Sequence, residues 1–114
     1  MPSPTYELFL RAMREKKPIA CTYQGHQREI CTAILGRTGL EEKSLVFQFA
    51  GGTSTGPVSP SGDWRCFALA EVRNAELRDG RWHSGSQHSS GQPCMKMVEY
   101  DVNPNSPNDP AFRL

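Results

Sequence analysis

Arg65 stands in phase with Phe67 and Leu69 in the run Trp64-Arg65-Cys66-Phe67-Ala68-Leu69-Ala70-Glu71-Val72. In a strand, that alternation sets all three on one face, and the face bearing Phe67 and Leu69 must turn inward. A guanidinium keeps its charge at any physiological pH, so it cannot enter a core without a partner. Either Arg65 reaches out from a strand end, or it lines a pocket and holds an anion. Arg28 supplies a second planar fork, and such forks grip phosphate or carboxylate bidentately where lysine does not. Tyr23 offers a ring to stack on a base, or a hydroxyl for a phosphate. Trp64, beside Arg65, would extend the stacking platform. The competing arrangement is structural. In it Arg28 and Arg65 pair with Glu29, Glu71 or Asp63, and Trp64 belongs to the core or rim.

Other chemistries find weaker support. Gly51-Gly52-Thr53-Ser54-Thr55-Gly56 lacks the Gly-Lys-Ser/Thr ending and following helix of a phosphate loop. His83, His88 and Cys94 are good zinc ligands, but their spacing fits no common finger and they supply only three groups. No metal or cofactor is therefore expected. His26 reads as a solvated turn residue. Cys21, Cys31 and Cys66 fall on predicted strands, where a small apolar packing role is usual; Cys94 borders a linker. A nucleophilic cysteine needs an adjacent base, and no nucleophile elbow or paired-carboxylate site is visible. The expectation is a non-enzymatic protein, with a small enzyme using Cys94 or the histidines as the weakest alternative.

The elements that must position these residues are legible from pattern. Ser3 and Pro4 suit an N-cap and first helical position, and Leu8, Phe9, Ala12 and Met13 recur at helical spacing until Pro18 ends the helix. Strands are expected at 19–23, 28–35, 44–49, 64–69 and 74–78. Gln24-Gly25-His26 forms a turn, and Asp79-Gly80 is a hairpin signal. In 28–35, Ile30, Thr32 and Ile34 share a face. In 44–49, Leu45, Phe47 and Phe49 alternate with Ser44, Val46 and Gln48. Residues 36–42 read as a polar connection and 51–63 as a Gly- and Pro-rich mobile loop. The fold class that follows is mainly β with a minor α part. A capping helix at 1–18 would cover a small five- to six-stranded antiparallel barrel at 19–83 with Leu8, Phe9 and Met13. A linker at 84–93 leads to an extra strand at 94–102, with Met95, Met97 and Val98 as its apolar positions. A disordered tail at 103–114 completes the chain.

Composition bounds the rest. The chain has 114 residues, a formal charge of +1, 37% hydrophobic residues and four cysteines. One small domain can fold from this, without the basic surplus of a generic duplex-DNA binder. No apolar run approaches membrane-spanning length, and the start lacks the features of a secretory signal. The expected location is the cytoplasm, where the cysteines would remain thiols.

The order of these residues resembles a family. A helix carrying Arg11-Ala12-Met13 leads into Ile19-Ala20-Cys21-Thr22-Tyr23, then Gln24-Gly25-His26-Gln27-Arg28. Leu45-Val46-Phe47 and Arg65-x-Phe67-x-Leu69-x-x-Val72 follow. This is similar to the WYL domain, an Sm-like (SH3-like) barrel of bacterial transcription regulators and some defence-system proteins. The similarity spans Leu8 to Leu77. It departs from the family where Ser44-Leu45-Val46 lacks the naming Trp and Tyr, and where Thr32 replaces a proline. The resemblance implies a ligand-sensing module whose pocket uses Tyr23, Arg28 and Arg65 to bind a nucleotide or a short single-stranded nucleic acid. With one helix ahead of the barrel, the chain is expected to act in trans on a regulator carrying its own DNA-binding domain. The alternative is a protein-interaction module, a homodimer built on a barrel edge and the 94–102 strand.

Overall fold

The computed structural model describes residues 3–53, 56–57, 62–82, 94–102 and 110–113. Helix α1 spans Pro4–Glu15, with the Ser3 hydroxyl accepting from the Tyr6 N–H and Lys16 ending it in the left-handed region at φ 54°. Ser3 is itself held by Glu42, whose carboxylate accepts from both the backbone N–H and the hydroxyl. Tyr6, Phe9, Leu10, Ala12 and Met13 are buried. The apolar stripe is thus rotated from the expected one, and Leu8 is only half-buried. Tyr6 takes the inner position because its hydroxyl donates to Glu99, which also pairs with Arg37. A buried hydroxyl with a charged acceptor carries little desolvation cost.

Strands follow: β1 Ile19–Tyr23, β2 His26–Thr38, β3 Glu41–Thr53, β4 Gly56–Pro57, β5 Asp63–Ala68, β6 Val72–Leu77, β7 Met97–Asp101 and β8 Phe112–Arg113. A one-turn 3-10 helix, Leu69–Glu71, joins β5 to β6. Gln24 and Gly25 both have positive φ, at 53° and 80°, as a two-residue hairpin turn whose twist matches its strands requires. The polar segment 36–42 is not a loop. It is the continuation of β2, the turn Gly39-Leu40 and the start of β3, because the ladder runs on through Thr38↔Glu41. Likewise the first part of 51–63 is strand: β3 reaches Thr53 and pairs with β4. The hairpin expected after Asp79-Gly80 has no returning strand among the described residues. Instead the Arg78 N–H bonds to the Pro18 carbonyl.

The antiparallel order is β6-β1-β2-β3-β5, with β7 on the C-terminal half of β2 and β8 parallel to β7. The fold is therefore mainly β with one N-terminal helix, as expected, but the barrel is not closed. No ladder joins β5 to β6 among the described residues, since the 3-10 turn carries the chain across the gap and β6 pairs only with β1. The extra strand is present, and Phe112–Arg113, expected to belong to a disordered tail, instead pairs with it. The linker at 84–93 and residues 103–109 lie outside the described residues.

Two clusters sandwich the sheet. The first joins α1 to Ile19, Cys21, Tyr23, Ile30, Leu35, Val46, Phe67, Leu69 and Val72. The second joins Ala33 and Ile34 to Met95 and Val98, with Leu45 and Trp64 packed against it. A bulge between Thr32 and Ile34 reverses the phase of β2, so Ile30 and Leu35 face one cluster while Ile34 faces the other. This corrects the single face expected for Ile30, Thr32 and Ile34. Met97, expected as apolar packing, is 58% exposed, whereas Met95 and Val98 are buried. Gly36 lets β7 approach: a Cβ there would lie 2.0 Å from the Met97 carbonyl oxygen.

Candidate anion-binding site

The gap between β1 and β5 is bridged by side chains rather than by a ladder. The rings of Tyr23 and Phe67 stack at 3.9 Å with an interplanar angle of 1°. The Tyr23 hydroxyl accepts a hydrogen bond from the Ala68 N–H at 3.0 Å. Beside this bridge lies a cleft of about 310 Å³ lined by Tyr23, Gln24, Arg28, Trp64, Arg65, Cys66 and Phe67.

Strand register explains the arrangement. Gln48 stands opposite both Ile30 and Asp63, and Val46 stands opposite Arg65. Directly opposed residues share a face, so Gln48, Asp63, Arg65 and Phe67 project to the same side. Arg28 lies two residues before Ile30 on that side and pairs with Cys21 on β1 and Gly51 on β3. Gly51 has φ 96°, and a Cβ there would sit 2.8 Å from the Arg28 Cα. Only glycine lets β3 come this close.

Arg28 is 3% exposed. Its Nη1 donates to the Gln48 side-chain oxygen at 3.3 Å, while its Nε is buried with no hydrogen-bond partner. Its carbon Cζ lies 5.2 Å from the Tyr23 centroid and 5.5 Å from that of Phe67. Near-equal distances to two stacked rings place it beside the pair, not over an outer face where ring charge would be most attractive. No carboxylate pairs with it among the described residues. Burial, and then the like charge of Arg65, push its pKa below the ordinary arginine value. Arg65 is more open, its side chain 35% exposed, with Nη2 3.5 Å from Asp63 and a buried Nε lacking a partner.

The structural alternative therefore holds in part for Arg65, through Asp63, and not for Arg28. Tyr23, Arg28 and Arg65 all line this one cleft. Trp64 also lines the cleft, and its ring packs edge-on against Phe47 at 5.3 Å, beside the second cluster. Tyr23 is 6% exposed with one face on Phe67, so it closes the gap rather than offering a free surface to a base.

Gln48 was missed as a site residue. It is fully buried, and its Nε2 donates to the carbonyls of Ala50 and Gly52, each at 3.1 Å. Both amide hydrogens being committed, the side-chain oxygen must face Arg28. The available signal was its phase with Val46 on a strand, which the more apolar alternation of Leu45, Phe47 and Phe49 obscured.

Cys66 and Cys94 form a disulfide, with Cα atoms 5.5 Å apart. This corrects the expectation that all cysteines stay reduced. Cys66 is out of phase with Phe67 and points to the side covered by the segment around Met95, which carries Cys94 to it. Disulfides are uncommon in the cytosol, the premise on which reduced thiols were expected. No helix among the described residues is long and apolar enough to cross a membrane. The sulfur of Cys94 is thus committed, and His83 and His88 lie outside the described residues.

Cys21 and Cys31 are buried thiols. Burial raises the Cys21 pKa from 9.0 to about 11, only partly countered by Arg28. The folded state thus holds the proton more tightly than the unfolded chain. This contribution to stability is complete below pH 9 and is lost as pH rises toward 11. Replacing Cys21 with Ala should flatten the fall in stability across that window, measured by urea denaturation at closely spaced pH values.

No family model, curated protein or solved structure matches this chain.

Proposed function

We propose that this chain is a non-enzymatic, WYL-like binding module that takes a phosphate-bearing ligand in the cleft through Arg28 and Arg65. The observation that carries the reading is the buried Arg28 guanidinium, held in place by Gln48 yet lacking a carboxylate among the described residues. A buried charge without a counter-ion is costly, and an anion entering the cleft would relieve that cost. Arg65, half-open beside it, is the second fork. Its contact with Asp63 is long enough to be exchanged for a shorter, charge-assisted bond to a ligand. In the wider role, ligand occupancy would be communicated to a partner regulator.

Calorimetric titration with inorganic phosphate and pyrophosphate at low and moderate salt tests the reading. The intact protein should bind both, more weakly at higher salt. Arg65→Gln should lose affinity by about ten-fold, the worth of one charge-assisted hydrogen bond. Absence of heat with either anion, or equal binding by the variant, would exclude this site.

A further inference from the structure

We infer that the cleft selects a terminal phosphate, a monoester, over the diester phosphates of a nucleic-acid backbone; this rests on the anion reading above. Depth is the first reason. Arg28 is 3% exposed and Arg65 is the more open of the two, so the strongest unmet demand for an anion lies at the inner end. A backbone diester carries a substituent on each side, and both must leave the cleft. A monoester carries one substituent and can turn its remaining oxygens inward.

Charge is the second reason. The cleft is lined by two guanidiniums, Arg28 and Arg65, and among the described residues the carboxylate that pairs with either is Asp63, at 3.5 Å from Arg65. A monoester brings about −1.5 to −2 charges near neutral pH, whereas a diester brings about −1. The more highly charged group matches the two forks better.

The aromatic side chains supply the third. Sequence-tolerant single-strand binding depends on open ring faces on which bases stack. Here Tyr23 and Phe67 face each other and are 6% and 0% exposed, while the Trp64 ring meets Phe47 edge-on. Recognition therefore falls on the phosphate itself, and the base or remaining strand lies outside. Two sources carry such a group: a free nucleotide and the phosphorylated end of a strand.

Calorimetry on the full chain separates these cases with paired probes. One pair is a nucleoside 5′-monophosphate and its 3′,5′-cyclic diester. The other is one short oligonucleotide with either a 5′-phosphate or a 5′-hydroxyl. Inorganic phosphate serves as the common reference. The monoester of the nucleotide pair should bind at least about ten-fold more tightly than its cyclic diester. A like preference for the phosphorylated strand adds the strand end as a source, while nucleotide preference alone assigns the site to free nucleotides; both results support the inference. Equal affinity of monoester and diester in both pairs, with inorganic phosphate still binding, overturns terminal selection and leaves the anion site standing. Failure of every probe, inorganic phosphate included, overturns both.

Discussion

Arg28→Met should leave the protein folded, with stability unchanged or higher by up to about 2 kcal/mol, while abolishing its stabilisation by phosphate. Replacing buried ionic groups by apolar side chains of similar volume is often neutral or favourable by about 1–4 kcal/mol. Against this stands the Gln48 side-chain oxygen, which would lose its Nη1 donor and remain buried. An orphaned acceptor costs about 1–3 kcal/mol, so the two effects nearly offset. The ligand-linked effect has no such compensation. A ligand at a hundred times its Kd stabilises the folded state by about 2.7 kcal/mol, and a variant that cannot bind gains none of it. Urea denaturation with and without phosphate reads both quantities at once. Were Arg28 a structural cation with a hidden counter-charge, the substitution would instead cost about 3–5 kcal/mol with or without phosphate.

The second large effect is expected from the disulfide. Cys66 and Cys94 are separated by 28 residues, and closing a loop of that length restricts the unfolded chain by about 3.5 kcal/mol. Cys66→Ser/Cys94→Ser should therefore lower Tm by roughly 10–15 °C in a chain of this size. Reducing agent should produce a similar drop in the parent protein and none in the variant, measured by scanning calorimetry. Because Cys66 and Arg65 alternate in phase on β5, phosphate affinity should change far less than stability. A Tm shift below about 3 °C would mean that β7 is held to β2 by its ladder and by Glu99 rather than by the cross-link.

The sequence carried the helix well, because capping by Ser3, Pro4 at the first position and Pro18 beyond the end are all local signals. The hairpin at Gln24-Gly25 was legible for the same reason. The long strands were not. Their middle stretches pass between two clusters, so Ser44, Val46 and Gln48 are buried on one side while Leu45 and Phe47 face the other. A strand covered on both faces loses the alternation that marks a half-exposed one. The bulge after Thr32 removed the phase relation a second time. Barrel closure was a further step that local pattern could not decide, since it depends on whether β5 and β6 meet after the 3-10 turn.

The site was half legible. Arg65 announced itself through its phase with Phe67, and the register confirms that they share a face. Tyr23 and Arg28 come to the same place because the hairpin folds β1 onto β2. Their exposure was not readable, since Tyr23 and Arg28 are buried, whereas the alternation that joins Arg65 to Phe67 did set Trp64 on the opposite face. Gln48 and the Cys66–Cys94 bond depend on contacts between strands distant in sequence, at separations of 20 and 28 residues.

The most direct test of an anion site at Arg28 is to follow its Nε–Hε resonance by heteronuclear NMR during titration with inorganic phosphate. The Nε is buried and without a hydrogen-bond partner, so a new acceptor must perturb it strongly. A saturable downfield proton shift at Arg28, accompanied by one at Arg65 and absent from Arg78, which follows β6, pairs with Glu76 and does not line the cleft, is the predicted result. An unchanged Arg28 resonance in the folded protein, at phosphate levels that shift only surface arginines, would contradict it.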